Sequence, residues 1–357
     1  MTHAVDWDLA QKVAFRVAER GGGPDVRSPQ VRSIGRDFAE ATEQAERLVA
    51  EATGLQAASE ARARVVDRRS WIRANVASFQ RLLRPLTDRM DSRIDRSGPM
   101  HEIARTASGA EVGALLGWMS RRVLGQYDLL IIEDDKPDDQ DMVYYVGPNV
   151  VSLERRHGFP VGEFRLWLAL HECTHRAQFM GIPWLRGHFL GLVDEALDVV
   201  DPDPVRMLDA ARRLMEARRG GDDPFRWGGL TALLAPPSQQ GALERLSGMM
   251  SLLEGHGDVT MDRAGADRLS ESARFGRVLR SRRTSARGLA KLLQRLVGIE
   301  AKLYQYQAGE AFIAAVERIE GVEFVERAWA RPECLPDMAE IQSPELWIER
   351  MNASAAA

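Results

Sequence analysis

His171 and His175 stand four residues apart in Leu168-Ala-Leu-His-Glu-Cys-Thr-His-Arg-Ala-Gln-Phe179, and Glu172 follows the first of them. Imidazole is the commonest side-chain ligand for a divalent transition metal, and a carboxylate one residue past a ligand is placed to take a proton from water. The pattern describes metal-assisted hydrolysis, with His171 and His175 as ligands and Glu172 as general base. It requires a helix, because residues four apart then share a face and can aim two rings at one ion. The alternative is a histidine pair that merely decorates a helix. Against it, the chain has 7 histidines in 357 residues, and the flanking Phe164, Leu166, Trp167, Leu168, Leu170 and Phe179 imply burial. There, two imidazoles and a carboxylate without partners would be strongly destabilising.

A tetrahedral catalytic zinc takes three protein ligands and keeps a fourth position open for water. The extended motif with glycine three and histidine six residues after the second histidine is excluded, since Gln178 and Gly181 occupy those positions. Residues 241–261 read as a helix lined nearly all round by Leu243, Leu246, Met249, Met250, Leu252, Leu253, Val259 and Met261, yet it carries Glu254-Gly-His-Gly-Asp258. A carboxylate on so apolar a helix needs a cation or a donor, which makes Glu254 the first candidate for third ligand. Asp258, one turn on, can accept the second-nitrogen proton of a ligating histidine. His256 is the alternative ligand, on another face of an ideal helix but between two glycines that permit local unwinding. Glu195, in Leu192-Val-Asp-Glu-Ala-Leu197, is a further one, and His188 reads as a rim residue.

The chain is 45% hydrophobic and 28% charged, enough for a sizeable core in one large domain or two fused lobes. The expectation is a single domain over 1–357, with a helical part to 125, a sheet and metal-site core over 126–265, and a helical part from 266. With 48 basic and 52 acidic residues the net charge is -4, which does not indicate a nucleic-acid surface. No apolar run reaches membrane-spanning length, and the first residues lack the pattern of a secretory signal. Two cysteines, Cys173 and Cys334, suggest no disulfide framework. The expected location is the cytoplasm, with no nucleic-acid or membrane partner. The oligomeric state is not legible.

Helical spacing dominates the pattern. Residues 36–52 and 60–88 carry apolar side chains at three and four spacing, with Val65, Val66, Trp71, Ile72, Val76, Phe79, Leu82 and Leu83 as the second stripe and Pro85 ending or kinking it. Leu129–Ile132 and Met142–Val146 read as a small antiparallel sheet around the polar loop 133–141, a solvated hairpin tip. Val150–Leu153 reads as a further strand, and 162–179 as the motif helix, stopped by Gly181-Ile-Pro183. Arg280–Arg283 reads as a solvated turn, and 289–297 and 301–319 as two amphipathic helices. No phosphate loop, serine elbow or internal repeat is present.

Beyond the motif, a set of segments spread over nearly the whole chain resembles the zincin-like metallopeptidase family of unknown function common in actinobacteria, and within it the branch associated with biosynthesis of a deazaflavin coenzyme. The segments are Val5-Asp-Trp-Asp-Leu-Ala10, Val66-Asp-Arg-Arg-Ser-Trp-Ile-Arg-Ala-Asn75, Val123-Leu-Gly-Gln-Tyr-Asp128, Tyr145-Val-Gly-Pro-Asn149, the motif helix from Trp167, Pro183-Trp-Leu-Arg186, Met250-Ser-Leu-Leu-Glu-Gly-His256, Lys302-Leu-Tyr-Gln-Tyr-Gln-Ala-Gly309 and Pro344-Glu-Leu-Trp347. The resemblance implies a mainly α fold with a small sheet before the motif helix, a zinc site at His171 and His175, and hydrolase activity. It implies no substrate, and the association with a coenzyme supplies no chemistry.

The residues read as a zinc-dependent metallohydrolase, first of all a metallopeptidase, in which zinc acidifies its bound water and Glu172 carries the proton to a leaving amine. The strand around 144–151 precedes the motif helix, and an extended peptide could add to it. Tyr144, Tyr145, Tyr304 and Tyr306 are candidate oxyanion stabilisers. Two alternatives stand beside this reading: a helical binding or assembly protein with a structural or vestigial zinc site, and an amidohydrolase acting on a small molecule.

Overall fold

The computed structural model describes residues 5–20, 29–84, 87, 99–127, 141–197, 237–284 and 299–355. The chain divides into two compact units, residues 1–181 with 261–275, and residues 182–260 with 276–357.

The first unit contains α1 (Trp7–Glu19), α2 (Pro29–Thr53), β1 (Arg62–Val66), α3 (Arg68–Leu82), α4 (Pro99–Ser120), β2 (Gly125–Tyr127), β3 (Met142–Val146), α5 (Gly147–His157) and α6 (Val161–Gly181). Aspartates start two of these helices. Asp6 accepts the Leu9 amide and Asp67 the Ser70 amide, each satisfying a donor that the first turn leaves open. Trp71, Ile72, Leu116 and Val146, with Ala14 and Ala18, form a core cluster of this unit.

The sheet is mixed, in the order β1-β3-β2, with β1 parallel and β2 antiparallel to β3. This corrects three expectations. Residues 62–66, read as the start of a helix, form β1, because Val65 and Val66 find strand partners in Tyr145 and Val146 that local spacing cannot reveal. β3 is the central strand, and its antiparallel partner is Gly125–Tyr127; Leu129–Ile132 lie outside the described residues, as do residues 133–140. Residues 150–153 belong to α5 and not to a strand. Pro148 sits in the first turn of α5, where its fixed φ suits a helix, and Gly158 closes the helix at φ 60, a left-handed conformation that glycine adopts without strain. Pro85 lies outside the described residues; α3 ends at Leu82.

The second unit contains α7 (Leu185–Leu197), most of α8 (Pro237–Gly265) and of α9 (Ser272–Thr284), α10 (Ile299–Glu320), two 3-10 segments (Val322–Trp329, Pro332–Cys334), α11 (Met338–Gln342) and α12 (Pro344–Ala355). Arg280–Arg283 is part of α9 and not a turn. Residues 289–297 lie outside the described residues. Phe312, Phe324 and Trp347 pack edge to face, and Trp347 Nε1 donates to the Cys334 carbonyl at 2.8 Å. The α8 helix is unbroken from Pro237 to Gly265, so its end from Met261 packs with the first unit while its body belongs to the second. Among the described residues no helix is long and apolar enough to cross a membrane.

Candidate metal centre

The motif helix α6 is held along its whole length. At its start, Phe159, Phe164, Trp167 and Phe275 make a cluster of ring contacts. Arg165, buried, donates to both oxygens of Glu154 and to Asp37. Further on, Arg176, only 2% exposed, donates to both oxygens of Asp141 at 2.9 and 2.6 Å, to Glu46 at 2.6 Å and to the Ser59 carbonyl at 2.6 Å. Burial lowers the Arg176 pKa, but the hydrogen bonds and charge of Asp141, with Glu46, more than offset this and raise it overall. Asp141, expected at a solvated hairpin tip, is buried against this cation with φ 56.

This anchoring fixes which way the motif side chains face. The His171 and His175 rings lie 4.7 Å apart at 81°. His175 Nδ1 is 3.0 Å from Gln178 Oε1, and since that oxygen only accepts, Nδ1 carries the proton and Nε2 the lone pair. His171 Nδ1 is 3.2 Å from the Met261 sulfur, a weak acceptor, which favours the same tautomer. Both rings thus carry the lone pair on Nε2, the arrangement that outer hydrogen bonds impose on metal-binding histidines in general.

Met261 is carried by α8, and Glu254 lies seven residues earlier on that helix, two turns along the same face. Glu254 is buried and the two histidines are half-buried. Two imidazole nitrogens and a carboxylate oxygen are a donor set that zinc takes in hydrolytic sites with one position left open. Asp258 is half-buried one turn beyond Glu254. Glu172 is buried, and its Oε2 accepts the Tyr127 amide of β2 at 2.9 Å.

Comparison with known proteins gives the family. The sequence profile of the zincin-like metallopeptidases matches residues 5–348. The chain belongs to this family. A solved relative is a candidate hydrolase with a novel fold from Chloroflexus aurantiacus, 30% identical, with a TM-score of 0.71 over 98% of this chain and 99% of that one. No curated protein matches. The family match does not address the branch associated with a deazaflavin coenzyme.

Within this zincin-like metallopeptidase the other candidates sort by environment. Glu195 is 52% exposed on its side chain and pairs with Arg245 through both oxygens, as a solvated surface carboxylate does. His256 is buried with its ring 5.2 Å from that of Trp329. His188, on α7, has its ring against Trp184. Tyr145 is a core residue. It stacks on Phe38 at 3.8 Å and shares a 2.8 Å hydrogen bond with Thr42, and burial raises its pKa well above the ordinary value. That removes it as an oxyanion stabiliser. Tyr144 is buried too, and the side chains of Tyr304 and Tyr306 lie outside the described residues. Cys173 points away from the histidine face into the core, its thiol pushed up by burial.

Sequence reasoning missed Gln178, Met261 and the Tyr127 amide. A glutamine three residues after the second histidine is a readable signal, because it lies on the same helical face; the other two become neighbours only through the fold.

Proposed function

We propose that the protein is a zinc-dependent metallohydrolase, and a metallopeptidase in the first instance, with His171, His175 and Glu254 as ligands and Glu172 as general base. The observation that carries this reading is the pair of half-buried histidines on one face of α6, each ring with its outer nitrogen engaged, beside a buried glutamate on the same helix. When bound, zinc supplies Lewis acidity that makes water a usable nucleophile near neutral pH. Gln178 and Met261 fix the two imidazoles as Nε2 donors. Glu172 takes a proton from water as its oxygen adds to the carbonyl carbon, then delivers it to the amide nitrogen as the carbon–nitrogen bond breaks.

β3 is central in the sheet, so a peptide cannot add to it. A structural zinc site would close all four positions with protein ligands. His256, the candidate for a fourth, instead has its ring against Trp329, which favours the open, hydrolytic reading. The test is Glu172→Gln, which should keep zinc and fold yet lose turnover in a screen of mixed peptides and small amides, because a neutral amide accepts no proton. Equal turnover by both proteins would remove Glu172 as the base. No turnover by a zinc-loaded wild type would favour a binding protein.

A further inference from the structure

The outer edge of β2 is shaped around Glu172. Val146 donates to the Leu124 carbonyl at 2.8 Å, and Gly125 and Tyr127 face Tyr145 and Val143 in antiparallel register. Backbone groups alternate along such a ladder, so the amides of Gly125 and Tyr127 turn away from β3. Tyr127 gives its outward N–H to Glu172 Oε2. At Gly125 a methyl group would lie 2.6 Å from Glu172 Oε1, 2.8 Å from its Cγ and 2.9 Å from its Cδ. The carboxylate therefore lies flat over a strand position that has no side chain. The strand itself is pinned from behind, since Gln126 accepts from Trp71 Nε1 at 2.7 Å and donates to Asn75 at 3.2 Å.

We propose that Gly125 and the Tyr127 amide are the positioning element for the Glu172 carboxylate: the amide ties one oxygen, and the missing side chain at 125 leaves room for the other. The proposal rests on Glu172 acting as the base. Because the group that would meet a new methyl is the end of a flexible side chain, Gly125→Ala leaves the strand in place and the carboxylate swings aside.

The test needs no substrate at first. The chain has five tyrosines, so full-length metal-free protein labelled with 15N-tyrosine gives five amide signals, and Tyr127→Phe identifies the one at issue. Glu172→Ala moves that signal upfield, since a charge-assisted acceptor is lost. Gly125→Ala is expected to move it the same way and leave the other four in place, with zinc uptake at the wild-type level. A Tyr127 signal unchanged by Gly125→Ala overturns the proposal. If Gly125→Ala does not fold, Gly125→Ala with Glu172→Ala decides: relief of the clash restores folding, whereas continued failure places the conflict elsewhere and overturns it.

With any substrate whose turnover Glu172→Gln abolishes, Gly125→Ala lowers kcat by about 100-fold with KM changed by less than about twofold, the order of loss that misplacing a reacting group produces. Unchanged kcat in a variant whose Tyr127 signal has moved overturns the positioning role and leaves the hydrolase reading intact. A moved signal in a protein that hydrolyses nothing overturns the hydrolase reading, and with it the catalytic purpose of the cradle, while the contact stands.

Discussion

At His175 the ring is oriented by a residue one turn further along its own helix, which makes that hydrogen bond part of the proposed metal centre. Purified protein is expected to carry about one zinc per chain, with His171→Ala losing it, as metal analysis under chelator control will show. Gln178→Leu keeps the helix and removes the acceptor, and zinc affinity should fall by about 10–100-fold in a chelator competition. Affinity equal to wild type would mean that packing alone holds the ring. Glu254→Gln should likewise weaken zinc binding with helical circular dichroism unchanged, while Glu195→Gln, which only breaks an exposed pair with Arg245, should leave affinity as it was. The reverse ranking would remove Glu254 from the ligand set.

Between elements, the motif helix is fixed by charges taken out of water. Arg176 ties α6 to α2 through Glu46 and to the segment entering β3 through Asp141, with the Ser59 carbonyl completing the set. Arg176→Met leaves two carboxylates without their cation, and breaking one side of a buried pair costs about 3–5 kcal/mol. Urea denaturation measures it; a change below about 1 kcal/mol, the value of an exposed pair, would show that the network is solvated. The helix that carries Glu254 is set by a different device. Gly255 and Gly309 let α8 and α10 cross with their backbones touching, and a methyl at Gly309 would run into the Ser251 carbonyl. Helix backbone cannot swing aside as a carboxylate can, so Gly309→Ala should destabilise by about 1–3 kcal/mol and, by shifting α8, weaken zinc binding as well. Loss of stability with undiminished zinc affinity would mean that Glu254 does not depend on this crossing.

For the whole molecule, a metal that binds the native state and not the unfolded chain must stabilise it. With free zinc at about 100 times its dissociation constant the gain is about 2.7 kcal/mol, visible as a rise in Tm on titrating zinc into the chelated protein. The rise should vanish in His175→Ala. A rise of the same size in that variant would place the stabilising zinc elsewhere.

The motif and its helix were legible from sequence, because two histidines and a glutamate at helical spacing in an apolar stretch admit few other uses, and Glu254 stood out as a carboxylate on an otherwise apolar helix. What spacing could not supply was partnership across distance. Residues 62–66 form a strand because β3 lies beside them, although their own spacing continues the helix that follows. Val150–Leu153, β-branched and apolar, were drawn into α5 by the proline and glycine at its ends. Asp141, read as part of a solvated loop, is buried because Arg176 is there to neutralise it. Gly125 reads as an ordinary glycine until Glu172 is seen to lie across it. A sequence fixes residue types and their local periods, whereas a buried charge or an absent side chain takes its meaning from the group packed against it, and only the tertiary structure chooses that group.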